Sequence, residues 1–206
     1  MTRVVRADAE GAAAAVEVLC AGEVVVVPTD TVYGLAARPV DAGACAAVYR
    51  IKGRPEGMAL PVLAASDEQV RALGVAFTAP ARALAARWWP GPLTLAFGFD
   101  AAAARPPWLE GRTEVAVRVP DHDFLRGLLA ETGVLVVTSA NRHGAPTPRA
   151  AADVAATLGP EVGLVVDGGL LHEVPSTLVN VAGPEPSVER EGAISRTAIA
   201  AALASP

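Results

Sequence analysis

Aromatic residues make up only 4% of this 206-residue chain, and it holds two cysteines and three histidines. Each shortage excludes something. The cysteines, Cys20 and Cys45, form no CxxC pair, so a redox motif or a cysteine-based metal knuckle is missing. Cys20 closes one Ala-rich helical pattern and Cys45 lies inside another, so both read as small buried apolar residues. His122, His143 and His172 are scattered without a cysteine or acidic cluster beside them, and they supply no zinc-ligand spacing. The aromatics offer no stacking run of the kind that single-stranded nucleic acids use. Apolar residues reach 52%, yet no run approaches the ~20 residues of a membrane-spanning helix. The N-terminus, Met1-Thr2-Arg3-Val4-Val5-Arg6, shows no apolar signal core behind its charges, so the cytoplasm is the expected location. The net charge of −5 argues against a surface that binds nucleic acid all over, and leaves room for a local basic pocket.

What remains is a chain able to bury roughly 70% of its unfolded surface, with no need of a disulfide or metal staple. It shows neither an internal repeat nor a low-complexity linker. Pro and Gly punctuate short periodic segments instead. Helical patterns cover residues 8–21, with Asp8 as N-cap, then 41–51, 79–89, 121–131 with an aspartate cap, 149–158, and an Ala-rich C-terminal helix capped by Ser195. Strand patterns cover 23–27, 59–64, 93–99, 114–119, 133–137 and 163–166, followed by a late pair at 176–181 and 187–190. Strict βαβ alternation is absent, so the expectation is an α/β fold with a mixed-direction sheet flanked by helices.

Three polar segments stand where strands or helices end. Pro28-Thr29-Asp30-Thr31-Val32-Tyr33-Gly34-Leu35 follows the first valine run. It is either a capped turn or a ligand site, the latter favoured by its position at a strand end. Lys52-Gly53-Arg54-Pro55 ends a helix. It reads as a basic C-terminus suited to the macrodipole, or as a phosphate contact in which Arg brings a fork and Lys a point charge. The stretch from Gly53 to Gly57 is a candidate hinge. Thr138-Ser139-Ala140-Asn141-Arg142-His143-Gly144 follows another buried strand. It is either a local cap or a hydrogen-bonding surface for phosphate or ribose oxygens. Arg118 projects from the face of its strand opposite Val115, Val117 and Val119 and requires a partner. Neither GxxxxGK[ST] nor GxGxxG after the first strand occurs, so a phosphate site must be assembled from side chains on several loops. The chain shows no Ser-His-Asp or Cys-His order for a covalent nucleophile.

Taken in order, the PTDTVYGL run, the KGRP turn, TSAN with a downstream Pro-Thr, the Ser176-Thr177 strand start and the Arg190-Glu191-Gly192 turn resemble the YrdC-type threonylcarbamoyl-AMP synthases. The resemblance spans about 4–203 and is closest to their short, stand-alone bacterial form. It implies a single domain over 1–206 whose twisted, open mixed sheet carries a large, basic concavity. The implied activity joins L-threonine, bicarbonate and ATP into threonylcarbamoyl-AMP with release of pyrophosphate. That product would pass to a separate transfer complex, with a tRNA contact, for modification of the adenosine beside the anticodon. Matched by position, Lys52 and Arg54 become the catalytic residues facing the phosphates. Ser139, Asn141, Thr147 and Arg190 join them as ATP-binding residues, and Thr31, Arg118, Val137 and Ser176 hold threonine. Mg²⁺ is expected to arrive with ATP, held by phosphates and water, with no dedicated protein metal site. Met58 and Leu63 stand where the longer form carries Asn and His, so those roles are not carried over. Glu114, Asn180 and Glu191 also depart from the usual pattern. Two alternatives stand beside the implied activity: a carbamoyl-transfer enzyme, for which a chain of this length has no room for the extra domains, and a non-catalytic RNA-binding module, against which the acidic charge and the lack of an aromatic stacking run speak.

Overall fold

The computed structural model describes residues 2–55, 58–172 and 174–204. Along the chain lie β1 (Arg3–Arg6), α1 (Ala9–Cys20), β2 (Val25–Val27), β3 (Gly34–Ala37), α2 (Ala42–Lys52), β4 (Val62–Leu63), α3 (Asp67–Arg71), α4 (Ala79–Trp88), β5 (Leu93–Gly98), β6 (Glu114–Arg118), α5 (Asp123–Thr132), β7 (Leu135–Ser139), α6 (Ala151–Leu158), β8 (Leu164–Asp167), β9 (Thr177–Asn180), β10 (Ser187–Arg190) and α7 (Arg196–Ala204). All ten strands join one sheet in the order β1-β8-β2-β3-β7-β4-β6-β5-β9-β10. The β1–β8, β8–β2, β4–β6 and β5–β9 pairs are parallel, and the β2–β3, β3–β7, β7–β4, β6–β5 and β9–β10 pairs antiparallel. The mixed α/β sheet expected from the sequence is therefore present.

The valine strands are buried on both faces because two cores sandwich them. Val24 and Val26 belong to the core under α2, α4, α6 and α7, through residues such as Val48, Leu84, Val154 and Ile199. Val25 and Val27 alternate to the other side, where Leu19 of α1 and Leu125, Leu128 and Leu129 of α5 pack. Each fully buried Val or Leu contributes about 1.5–3 kcal/mol, enough to hold three-residue strands that propensity alone would not. Helices α1 and α5 cover only part of this second face. Beyond them Leu63, Ala116, Thr94 and Leu178, from β4, β6, β5 and β9, look into an open concavity.

Local chemistry sets the helix ends. Asp8 caps α1 by accepting from Gly11 N at 3.0 Å, and Ser195 accepts from Ala198 N at 3.2 Å at the start of α7. The aspartate cap expected for α5 is not used: His122 is the N-cap, accepting from Leu125 N through Nδ1 at 3.4 Å, and Asp123 is already helical. The expectation of two buried cysteines is also corrected. Cys20 is exposed, because Leu19 takes the core position and the next residue rotates about 100° away from it. Cys45 is half-buried and donates to Arg38 O at 3.6 Å; burial, then Asp41, push its thiol pKa up. Within the PTDTVYGL run, the turn ends at Tyr33 and Gly34 already opens β3. Ser139 closes β7 instead of lying in the loop that follows. Of the candidate hinge, Gly53 is the left-handed C-cap of α2 (φ 61°), while Glu56 and Gly57 lie outside the described residues.

Candidate functional site

The concavity narrows to a cavity of about 240 Å³ lined by hydroxyls, arginines and small apolar side chains. Its wall draws on the β2–β3 turn (Thr29, Thr31), the segment after α2 (Arg54), β5 (Thr94), β6 (Arg118), β7 (Val137, Ser139), Ser176 just before β9, and β10 (Arg190). Gly34 allows the turn to approach β7 closely, since a Cβ there would lie 2.5 Å from Val137 Cγ1.

Arg118 is 5% exposed, which demands that every part of its guanidinium be matched. Nε donates to Gly91 O at 2.9 Å, Nη1 to Thr31 Oγ1 at 2.9 Å, and Nη2 to Asp30 Oδ1 at 2.5 Å. The partner that the sequence required is thus the carboxylate of the turn itself, buried beside it. Thr31 is held in turn by Thr29, whose hydroxyl ties the turn together through Thr31 N, Val32 N and Val32 O.

Lys52 is the only lysine in the chain and is 3% exposed. Its ammonium does not line the cavity. It lies behind Ser139, donating to Ser139 O (2.6 Å), Asn141 Oδ1 (2.8 Å), Asn141 O (3.0 Å) and Ser139 Oγ (3.3 Å). Ser139 Oγ also reaches Asn141 Oδ1 at 2.7 Å, and His143 N donates to Lys52 O at 2.7 Å. The end of α2 and the loop after β7 are therefore knotted together around one cation. Burial, and next the Arg54 guanidinium, pull the Lys52 pKa down to about 8.

Arg54 takes the other direction from Gly53. Nε and Nη2 rest on Met58 O (3.3 Å) and Ala59 O (3.1 Å), leaving its remaining N–H groups to the cavity it lines. Arg190 mirrors it, with Nε and Nη2 on Ser176 O at 3.2 and 3.0 Å and Nη2 also on Ser176 Oγ at 3.1 Å. Burial lowers the Arg190 pKa, and the positive charges of Arg118 and Arg54 lower it further. The cavity therefore carries mutually repelling cations, of which, among the described residues, Arg118 alone has a carboxylate beside it. The described lining holds no carboxylate, cysteine or histidine. Such a surface is suited to orienting an oxyanion, and among the described residues none of its serine or threonine hydroxyls is hydrogen-bonded to a histidine or carboxylate that could activate it as a nucleophile. Among the described residues no group of three His, Cys, Asp or Glu gathers to hold a metal, and no helix is long and apolar enough to cross a membrane.

Of the residues singled out from the sequence, Arg54, Ser139, Arg190, Thr31, Arg118, Val137 and Ser176 line this one cavity. Lys52 and Asn141 stand directly behind it. Thr147 lies in the loop before α6, half-buried and outside the lining. Sequence reasoning missed Thr94 as a lining hydroxyl; Thr29 and Asp30 lay in the segment read as a possible ligand site, but Asp30 was not recognised as the partner of Arg118. The one available signal for Thr94 was a lone hydroxyl inside the apolar run Leu93–Phe97. Leu63 lines the cavity, and the departures at Glu114 and Asn180 are partners: Asn180 Nδ2 donates to Glu114 Oε2 at 3.0 Å and to Glu189 Oε1 at 2.8 Å.

Comparison with known proteins sets this geometry beside named relatives. A family model for Sua5, YciO and YrdC, described as "Telomere recombination", matches residues 17–192. A threonylcarbamoyl-AMP synthase of Bacillus subtilis is 36% identical over 193 residues, covering 93% of this chain and 56% of that protein. One of Chromohalobacter salexigens is 39% identical over 163 residues, covering 79% of this chain and 87% of that protein. Among solved structures, Pyrococcus abyssi Sua5 complexed with L-threonine superposes with a TM-score of 0.88 at 31% identity, over 99% of this chain and 61% of that one. The chain thus spans little more than half the length of its Bacillus and Pyrococcus relatives.

Proposed function

Because the chain belongs to the Sua5–YciO–YrdC family, we propose that it is a nucleotidyltransferase, an L-threonylcarbamoyladenylate synthase that works as one YrdC-like domain over 1–206. Threonine's amine takes up bicarbonate with loss of water, and the carbamate oxygen then attacks the α-phosphorus of ATP and expels pyrophosphate. The observation that carries this reading is the convergence of Arg54, Arg118 and Arg190 with Thr31, Ser139 and Ser176 on one cavity whose described lining holds no carboxylate and no histidine to activate a hydroxyl. Displacement at phosphorus by a substrate oxygen needs positioning and charge stabilisation from the protein, and no attacking side chain.

The enclosed volume of about 240 Å³ is below the roughly 300 Å³ at which drug-sized pockets begin. It suits an amino acid with its carbamate, while a nucleotide extends into the open side. In this assignment Arg118 and the hydroxyls of Thr31 and Ser176 take the threonine carboxylate, with Val137 as an apolar wall. Arg54 and Arg190 act on the phosphates, joined by Ser139. Lys52 and Asn141 brace Ser139 from behind, and Thr147 contacts the outer part of the nucleotide. Mg²⁺ would travel with the triphosphate, because the lining supplies no carboxylate for it. The product is expected to leave for a cytoplasmic tRNA-modifying complex.

The test is product analysis by mass with ATP, threonine and bicarbonate, alongside pyrophosphate release. Release that depends on both threonine and bicarbonate, with a product of the mass of threonylcarbamoyl-AMP, is the expected result. Equal turnover without either substrate overturns the proposal. Dependence on carbamoyl phosphate points to carbamoyl transfer, and salt-sensitive RNA binding with no pyrophosphate points to a binding module.

A further inference from the structure

Four hydroxyls of the cavity form two pairs, and one member of each pair is bound by an arginine. On the β2–β3 turn, Thr29 Oγ1 accepts from Thr31 N at 3.0 Å and Val32 N at 3.1 Å and donates its proton to Val32 O at 2.8 Å. A hydroxyl has one proton and two lone pairs, so Thr29 is saturated. Its neighbour at 2.9 Å, Thr31 Oγ1, accepts from Arg118 Nη1 at 2.9 Å and finds no vacant lone pair on Thr29. The Thr31 proton is left for the cavity.

In the second pair, Ser176 Oγ accepts from Arg190 Nη2 at 3.1 Å and lies 2.8 Å from Thr94 Oγ1. The Thr94 hydroxyl is buried and has no other hydrogen-bond partner among the described residues. A cation on the Ser176 oxygen polarises its O–H toward donation. An anionic acceptor in the cavity therefore draws the Ser176 proton, and Thr94 fills the second lone pair.

We propose that Thr29 and Thr94 are positioning residues that turn the Thr31 and Ser176 protons into the cavity, giving it two hydroxyl donors for a carboxylate-type oxyanion. The inference rests on the functional reading above for the ligand's identity, the carboxylate of threonine or of its carbamate. At Ser176 both lone pairs are then filled, by Arg190 and Thr94, so this hydroxyl meets a carboxylate oxygen as a donor and offers the N–H groups of a carboxamide no acceptor.

Thr94 gives the sharper test, because the Thr29 hydroxyl also ties the backbone of its turn. Calorimetric titration of L-threonine and L-threoninamide is run on the wild-type chain, Thr94→Val and Thr94→Ser. Valine keeps the shape and removes the hydroxyl, and serine keeps the hydroxyl. Thr94→Val is expected to weaken threonine about two- to tenfold, the weight of one hydrogen bond. It should narrow the preference for acid over amide by the same factor, with Thr94→Ser restoring both. Wild-type affinity and preference in Thr94→Val overturn the proposal. So does an equal loss for the two ligands, which would mark a packing role. A wild-type chain that binds no threonine and releases no pyrophosphate overturns the functional reading instead. Acetate then reads the donor pair by itself, and unchanged acetate affinity in Thr94→Val overturns the inference.

Discussion

Lys52→Met separates two roles for the chain's sole lysine: a brace for the Ser139–Asn141 loop, or a direct contact to phosphate. The ammonium sits within 2.6–3.3 Å of four oxygens of Ser139 and Asn141, and its residue is 3% exposed. Methionine leaves the oxygens that its ammonium serves without their donor, at about 1–3 kcal/mol for a buried acceptor left unpaired. The Lys52 pKa, lowered to about 8, shows that the site also disfavours the charge, an effect that the neutral side chain does not suffer and that keeps the loss near that single-acceptor cost. Such a loss lowers the Tm of a chain this size by roughly 2–12 °C. Thermal denaturation reads that fall. Pyrophosphate release should show a raised KM for ATP as Ser139 loses its support. A variant that melts with the wild type and loses only ATP affinity refutes the bracing role and returns Lys52 to the phosphates.

The same lysine gives a pH signature. Its pKa is about 8 in the folded chain against 10.5 ordinarily, so the unfolded chain binds the proton more tightly between those values. Stability from this group is therefore full above 10.5 and is lost as pH falls through about 8. Urea titrations across that window should show the rise with pH, and Lys52→Met should flatten it. Pyrophosphate release should run the opposite way, falling above about 8 as the charged brace is lost. Arg118→Met leaves the Asp30 carboxylate, 12% exposed, without its cation, at a cost of about 3–5 kcal/mol in denaturant unfolding. The Asp30→Asn/Arg118→Met double variant should regain part of that loss, because no charge is then stranded. Gly192→Ala puts a Cβ 2.3 Å from Pro175 O and 2.6 Å from Ser176 C and O, so about 1–3 kcal/mol of stability and a displaced Ser176 are expected. Melting and the KM for threonine check it, with Gly183→Ala as control, since that Cβ meets nothing closer than 3.8 Å.

The parts of the fold legible in the sequence are those where local pattern and tertiary burial agree. The valine runs became strands, the alanine-rich periods became helices, and the Asp8 and Ser195 caps formed as read. Strand β1 was not legible, because Arg3-Val4-Val5-Arg6 is mostly exposed and is a strand only through its pairing with β8. Strand β3 was hidden inside a polar motif: Gly34-Leu35-Ala36-Ala37 has no β-branched residue, and its extension is imposed by β2 on one side and β7 on the other. Cys20 misled for the opposite reason, since an apolar type at a helix end carries no information about which way the last turn faces.

For the site, residue types were legible and their division of labour was not. Lys52 and Arg54 stand two apart, so they look like one phosphate clamp. Lys52, though, is the last residue of α2, and the left-handed Gly53 after it reverses the chain, so one cation turns into the protein and the other toward the cavity. What engages the two buried cations lies far along the chain: Ser139 is 87 residues from Lys52, and Asp30 is 88 residues from Arg118. No window of sequence holds both members of such a pair. The same separation explains why a net charge of −5 did not preclude a cationic cavity. Arg118 has Asp30 beside it, and Lys52 is surrounded by carbonyl and amide oxygens. Among the described residues, Arg54 and Arg190 rest only on backbone carbonyls and the Ser176 hydroxyl. Dipoles hold these two guanidiniums in place without cancelling their charge, so a bound anion meets two full positive charges on a chain whose total is negative.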